Sequence, residues 1–106
     1  MAIEHSSFRT GVTGEVPIEA GGRQTSVVVS EPGVRVVHFA LDTQQGLTEH
    51  SAPKNAIVQV LAGAIAFTLE GQTQTLSVGD LVVMAPGARH ALVAVEPSRF
   101  SLTLID

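Results

Sequence analysis

Short segments rich in β-branched residues, separated by tight-turn signals, fill most of this sequence and leave little room for helices. In segments 64–69 and 99–105, large apolar side chains alternate with small or polar ones, which is the period of two of a half-buried strand. Glu70-Gly71 is a turn pair of the kind that joins hairpin strands. Six or more strands at regular spacing, with no capped helical stretch, predict an all-β antiparallel sandwich or small barrel.

The chain has 106 residues, which suits one domain rather than two. We assign residues 23–106 to the barrel and the less regular residues 1–22 to an N-terminal arm or an edge strand. Charged residues make up only 15% of the chain, so part of the surface must be neutral or apolar. A second copy of the chain would cover such a surface, because monomers rarely expose large apolar patches. A subunit interface would therefore explain the low share of charged residues.

Composition also excludes several kinds of site and partner. The chain has no cysteine, which excludes disulfides, thiolate metal sites and a cysteine nucleophile. A net charge of −4 and a single lysine, Lys54, argue against a nucleic-acid partner. No apolar run approaches the ~18–20 residues needed to cross a bilayer, so no membrane partner is expected. The first residues lack the pattern of a secretory signal, which predicts a cytoplasmic protein.

Two histidines occupy related places in a longer pattern of glycines. His50 precedes a segment that ends at Gly63, and His90 closes "PGARH" eleven residues after Gly79. This order resembles the two-part signature of the cupin family, G-x5-H-x-H-x3/4-E-x6-G followed by G-x5-P-x-G-x2-H-x3-N. The resemblance covers residues 34–105 and implies an antiparallel double-stranded β-helix, the jelly-roll barrel of cupins. It also implies a homodimer, because cupins commonly pair through sheet faces and edge strands.

The resemblance holds for the frame and fails for the metal ligands. In metal-binding cupins, two histidines and a glutamate of the first part and the histidine of the second hold a divalent ion. His50 and His90 match two of these ligands, whereas Ala52 replaces the second histidine and Ala56 replaces the glutamate. Since a divalent ion usually needs three or four protein ligands, we expect no tightly bound metal. Any ion present would be Zn, Fe, Mn or Ni at the two histidines. Smaller departures from the signature fall at Gln44, Pro86 and Ala94.

A third histidine, His38, is the remaining candidate for the barrel interior. If Arg35 faces solvent, strand alternation places Val36, His38 and Ala40 on the opposite face, where His38 would lie near the other two histidines. The alternative is a packed or interface histidine on a strand of Val and Phe.

Replacing an imidazole and a carboxylate by methyl groups leaves volume inside the barrel. Larger neighbours would refill that volume, or it would stay open for a small apolar molecule, because an empty apolar cavity is destabilising. A neutral imidazole beside it would offer such a ligand one donor and one acceptor. Candidates for refilling are Phe39, Phe67 and Phe100. The candidate pocket residues are His50, Ala52, Ala56, His90 and His38.

Three functions follow from this pattern. The first is a binding protein for an unidentified small molecule, held in the barrel interior without a tightly bound metal. The second is an enzyme, either a metal-dependent oxygenase or isomerase that uses His50, His90 and a third ligand such as His38, or a metal-free acid–base catalyst. The third is a structural dimer with a filled barrel.

Overall fold

The computed structural model describes residues 2–106 and contains nine strands within that range, together with one 3₁₀ turn at Val12–Gly14. Met1, the first residue of the predicted arm, lies outside the described residues. The strands are β1 (Arg23–Glu31), β2 (Val34–Leu41), β3 (Gly46–His50), β4 (Asn55–Ala62), β5 (Ala64–Leu69), β6 (Gln72–Ser77), β7 (Leu81–Met84), β8 (His90–Ala94) and β9 (Ser98–Ile105).

The strands form two sheets that face each other. One sheet has five strands in the order β1-β2-β9-β4-β7, and the other has four in the order β3-β8-β5-β6. The pairs within them are antiparallel, and most join strands that are distant in sequence. This is the jelly-roll arrangement, so the predicted all-β antiparallel barrel is confirmed.

Large side chains from alternate residues of both sheets form the core between them. Phe39 and Phe100 are register partners on β2 and β9, and their rings stack with centroids 4.5 Å apart. Ile65 and Phe67 on β5 belong to the same buried cluster. Removing each such side chain from water contributes about 1.5–3 kcal/mol, so this alternation determines which residues face the interior.

The turn between β4 and β5 packs tightly on the start of β9. Ser98 is fully buried, and its hydroxyl accepts a hydrogen bond from the Ala64 N–H at 3.1 Å. The same hydroxyl lies 2.7 Å from the Glu96 carbonyl oxygen, to which it can donate. Gly63 adopts φ +80° in this turn, and a Cβ there would overlap Ser98 Oγ and the Pro97 carbonyl. Only glycine fits both the backbone angle and the space.

The N-terminal arm lies on the outer face of the five-stranded sheet. Because Phe100 points inward, its neighbour Arg99 points outward, where its Nη2 donates to the Val16 carbonyl at 3.1 Å. Val16 is buried. The Gly21 N–H donates to Asp42 Oδ2 at 2.7 Å and connects the end of the arm to the β2–β3 loop. The arm is therefore attached to the barrel by polar contacts at several points.

Exposed apolar side chains lie at the opposite edge of the same sheet. Leu81 and Val83 on β7 expose 56% and 73% of their surface. Within residues 2–106, no helix is long and apolar enough to span a membrane.

The packing at Gly63 gives a matched pair of substitutions. We expect Gly63→Ala to lower the free energy of unfolding by about 2–4 kcal/mol, because the new methyl group meets Ser98 and Pro97 in addition to the left-handed backbone strain. Gly71→Ala, at φ +84° with open space around it, should cost about 1 kcal/mol from backbone strain alone. Urea denaturation measures both values, and equal losses would contradict the steric argument.

The contact at Asp42 predicts a dependence on pH. Hydrogen bonds from the Gly21 and Thr43 N–H groups lower the pKa of this carboxyl below its ordinary value of 3.8. Because the pKa is lower in the folded state, the stabilisation is present above about pH 3.8 and is lost as the pH falls through the folded-state pKa. We expect wild type to melt at a higher temperature than Asp42→Asn at neutral pH, with the gap closing on acidification. A gap independent of pH would contradict this account.

Candidate ligand pocket

The inner face of the four-stranded sheet brings His50 and His90 together; we call them the histidine pair. They are register partners on β3 and β8, with ring centroids 4.2 Å apart and ring planes inclined by 57°. His90 is buried, whereas His50 lies exposed at the rim of the barrel. Two imidazoles at this separation can contact the same small ligand.

A register shift in β3 turns His50 inward. Leu47 pairs with Leu92, yet the next matched pair is His50 with His90, so β3 uses three residues where β8 uses two. Strict alternation from Leu47 would have pointed Glu49 into the barrel and His50 outward. The bulge therefore turns the imidazole of His50 toward His90 at the barrel rim and leaves the carboxylate of Glu49 on the outer side.

Both rings of the histidine pair are oriented by backbone carbonyl groups. His50 Nδ1 lies 2.7 Å from the Thr48 carbonyl oxygen, and His90 Nδ1 lies 3.0 Å from that of Ala88. A carbonyl oxygen only accepts, so each Nδ1 must carry the hydrogen and donate it. In the neutral ring, the lone pair is then at Nε2, which is the nitrogen left to interact with a ligand.

Backbone hydrogen bonds hold the loop that carries His90. The Gly87 N–H donates to the Ala52 carbonyl at 2.7 Å, and the Glu70 N–H donates to the Arg89 carbonyl at 2.9 Å. These two bonds fix the loop between β7 and β8 to the residues after β3 and β5. The position of His90 is therefore set by the fold and needs no ligand to define it.

An ion pair lies beside the histidine pair but outside the barrel. Arg89 Nε donates to Glu49 Oε1 at 3.2 Å, and both side chains are more than half exposed. This contact lowers the pKa of Glu49 and raises that of Arg89. Both groups stay charged at neutral pH and satisfy each other in solvent, so neither brings charge into the interior.

The two alanines of the signature supply no donor atoms for a metal ion. Ala56 is buried on β4, where its register partners are Met84 and Leu104 in the apolar core. Ala52 is half-buried in the segment after β3. Among residues 2–106, no three His, Cys, Asp or Glu side chains come together as a metal-binding group. Two imidazoles do not make the three-ligand set that a divalent ion requires, so these residues do not fit one.

His38 lies on the other side of the sheet, which corrects its assignment to the candidate pocket. Its neighbour Phe39 packs inward on Phe100, so His38 faces outward between its register partners Ser26 and Ser101. Its Nδ1 is buried and has no partner among the described residues. The interior position of His38 depended on Arg35 facing outward, but Arg35 shares the inward parity of Phe39 and is exposed because it lies at the start of β2. The buried His38 is the packed histidine of the alternative interpretation.

A groove opens between the edge strands β6 and β7, which belong to different sheets; we call it the β6–β7 groove. Its volume is about 260 Å³. Phe67 forms part of its wall, and the ring of Phe67 is parallel to that of His90, with centroids 6.0 Å apart. The groove and the histidine pair therefore lie on either side of one aromatic ring. The full lining is Phe67, Leu69, Gln72, Gln74, Leu76, Leu81, Val82 and Val83.

Sequence reasoning missed the two glutamines of this groove. The segment "QTQTL" alternates, and Gln72, Gln74 and Leu76 share one face because Leu76 is buried and pairs with the buried Ile65. That alternation was a usable signal. It was overlooked because exposed glutamines on a strand usually mark its solvent face.

Comparison with known proteins gives a family and a set of related folds. The family model for the cupin domain matches residues 37–106. A search of curated proteins found no match. A conserved protein of unknown function from Streptococcus pyogenes has a similar structure, with 32% identity and a TM-score of 0.83 over 98% of this chain and 90% of that one.

Two further solved structures have a similar fold. KdgF from Halomonas sp. is 27% identical, with a TM-score of 0.80 and 96% of each chain covered. A salicylate 1,2-dioxygenase from Pseudoaminobacter salicylatoxidans is 20% identical, with a TM-score of 0.75 over 81% of this chain and 25% of that one. At this identity, the likeness to the dioxygenase concerns the fold alone.

The carbonyl contacts of the histidine pair predict its tautomers. We expect neutral His50 and His90 to carry their hydrogen on Nδ1, because Thr48 and Ala88 offer only acceptors there. Two-bond ¹H–¹⁵N correlation spectra distinguish protonated from unprotonated ring nitrogens, and exposed His5 is the internal reference. A hydrogen on Nε2 in either neutral ring would contradict this geometry.

Proposed function

The chain belongs to the cupin domain family, and we propose that it binds a small molecule inside its barrel without a tightly held metal ion. One observation carries this proposal: the ring centroids of His50 and His90 are 4.2 Å apart, and each ring has its Nδ1 hydrogen-bonded to a backbone carbonyl, which leaves its Nε2 available. Such a pair supplies two hydrogen-bonding atoms at one point. An apolar pocket with a few convergent polar groups is the usual form of a small-molecule site.

The surroundings of Ala56 argue against a metal enzyme of the usual cupin type. A carboxylate at this position would offset the charge of the ion, but here a methyl group packs with Met84 and Leu104. An ion held by two imidazoles would leave most of its charge uncompensated beside an apolar core. The metal-dependent oxygenase or isomerase is therefore the weaker candidate.

Proton transfer without a metal is a second candidate function, favoured by the free Nε2 atoms of the histidine pair. Imidazole is the most common general acid or base, and two adjacent rings could accept and return a proton at one bound ligand. The groove beside Phe67 argues against the third candidate, a fully filled barrel. The homodimer and the cytoplasmic location stay predictions.

A thermal-stability screen with matched histidine variants tests the proposal. A small molecule that binds only the folded protein raises its melting temperature. We expect hits from a library of small neutral and charged compounds to lose their shift in His50→Ala and to keep it in His5→Ala, which removes an exposed histidine of the arm. If every hit still raised the melting temperature of His50→Ala, or if the screen gave no hit, the proposal would be contradicted.

A metal titration separates this function from the metalloenzyme. Zn²⁺, Fe²⁺, Mn²⁺ and Ni²⁺ should stabilise wild type only weakly, whereas Ala52→His, which adds a third imidazole at the matching position, should bind Zn²⁺ at least about 10-fold more tightly. Tight wild-type binding that disappears in His50→Ala but persists in His5→Ala would favour the metalloenzyme instead.

A further inference from the structure

The inner face of the four-stranded sheet carries polar side chains at both ends of one cross-strand row. In this row, His50 pairs with His90, His90 with Leu69, and Leu69 with Gln72. Adjacent strands are ~4.8 Å apart, so His90 and Gln72 are separated by about 10 Å across the sheet. The row therefore runs from the histidine pair to Gln72 in the wall of the β6–β7 groove, with Leu69 between His90 and Gln72.

The middle of this path is apolar. Leu69 and Phe67 lie on β5 between the two polar ends, and Val82 from the opposite sheet also lines the groove. A ligand that lies along the row would therefore place an apolar body against an aromatic ring and aliphatic side chains. Burial of that body would supply affinity in proportion to the area removed from water.

The two ends offer hydrogen bonds of different kinds. The Nε2 lone pairs of neutral imidazoles accept a hydrogen bond, because each Nδ1 is already committed to a carbonyl. The amides of Gln72 and Gln74 both donate and accept. A ligand with an O–H or N–H at one end and an amide-like group at the other would satisfy both ends.

The lining of the path contains no formal charge. None of the eight residues of the β6–β7 groove is Lys, Arg, Asp or Glu. The charges next to the histidine pair, Glu49 and Arg89, are exposed and paired with each other. A carboxylate or phosphate in the groove would give up its hydration with no cation in the lining to replace it, which is costly.

From these observations we infer that the pocket selects an uncharged ligand, with hydrogen-bonding groups about 10 Å apart at the two ends of an apolar body. This inference rests on the proposed function and names its ligand class. It distinguishes the chain from a protein that binds acidic substrates, because recognition of an acid at the groove would require a cationic side chain.

A pair of probes that differ only in charge tests the inference. The probes are 4′-hydroxybiphenyl-4-carboxamide and 4′-hydroxybiphenyl-4-carboxylate, whose two linked rings hold the end groups about 10 Å apart, as the row requires. The two probes share one shape, and only the second is an anion at neutral pH. We expect the amide to bind at least about 10-fold more tightly in NMR titrations of the ¹⁵N-labelled protein, since the carboxylate pays for its lost hydration. Shifted amide resonances should include those of Leu69, Gln72 and His90.

Substitutions at Gln72 sharpen the test, because this residue is exposed at the groove and its replacement should not unfold the chain. Gln72→Leu should weaken binding of 4′-hydroxybiphenyl-4-carboxamide several-fold, and Gln72→Arg should reverse the preference in favour of 4′-hydroxybiphenyl-4-carboxylate by adding a cation. Thr75→Val, on the opposite face of β6, is the matched control and should leave both affinities unchanged.

Three outcomes would overturn the inference. They are equal or tighter binding of the carboxylate by wild type, an unchanged preference in Gln72→Arg, and no binding of either probe at millimolar concentration. The His50-dependent thermal screen decides the proposed function separately. A charged hit that depends on His50 would overturn the ligand class and leave small-molecule binding intact, whereas no His50-dependent hit at all would remove both.

Discussion

The alternation of side chains across two antiparallel sheets is the constraint on which the rest of this structure depends. Phe39, Phe100 and Phe67 face inward because the core excludes water there, and their positions fix the direction of every residue between them. The face of the sheet on which each of these histidines lies follows from this alternation. His90 faces the interior. His38 faces the outer side of the sheet, because its neighbour Phe39 faces the interior.

A local break in alternation creates the histidine pair. The extra residue of β3 reverses which side chains face the barrel at the end of this strand, so that His50 faces His90 at the barrel rim and Glu49 faces outward. The adjacent salt bridge then keeps that acid on the surface. The same irregularity thus explains both why two imidazole rings meet at the barrel rim and why no carboxylate lies between them.

The sequence was sufficient for the architecture and for part of the site. Period-two segments and glycine turns predicted an antiparallel sandwich or small barrel, and the resemblance to cupins implied the jelly roll. The same resemblance implied a shared region for His50 and His90, whose rings are adjacent. The sequence could not predict which face of β2 carries His38. An arginine such as Arg35 can be exposed either because it points outward or because it lies at the end of a strand on the inward face. The groove glutamines were missed for a related reason, since two edge strands that belong to different sheets meet there only after folding.

The arm and the groove lie at opposite ends of the five-stranded sheet. Hydrogen bonds of Arg9 and Gly21 hold the arm near β1 and β2. The groove opens beside β7, which is four strands from β1 in the order of the sheet. A surface tether or a fluorescent reporter joined through the arm would therefore face away from the mouth of the groove. That separation makes this small barrel a convenient scaffold for immobilised sensing, in which attachment and recognition occupy different ends of one molecule.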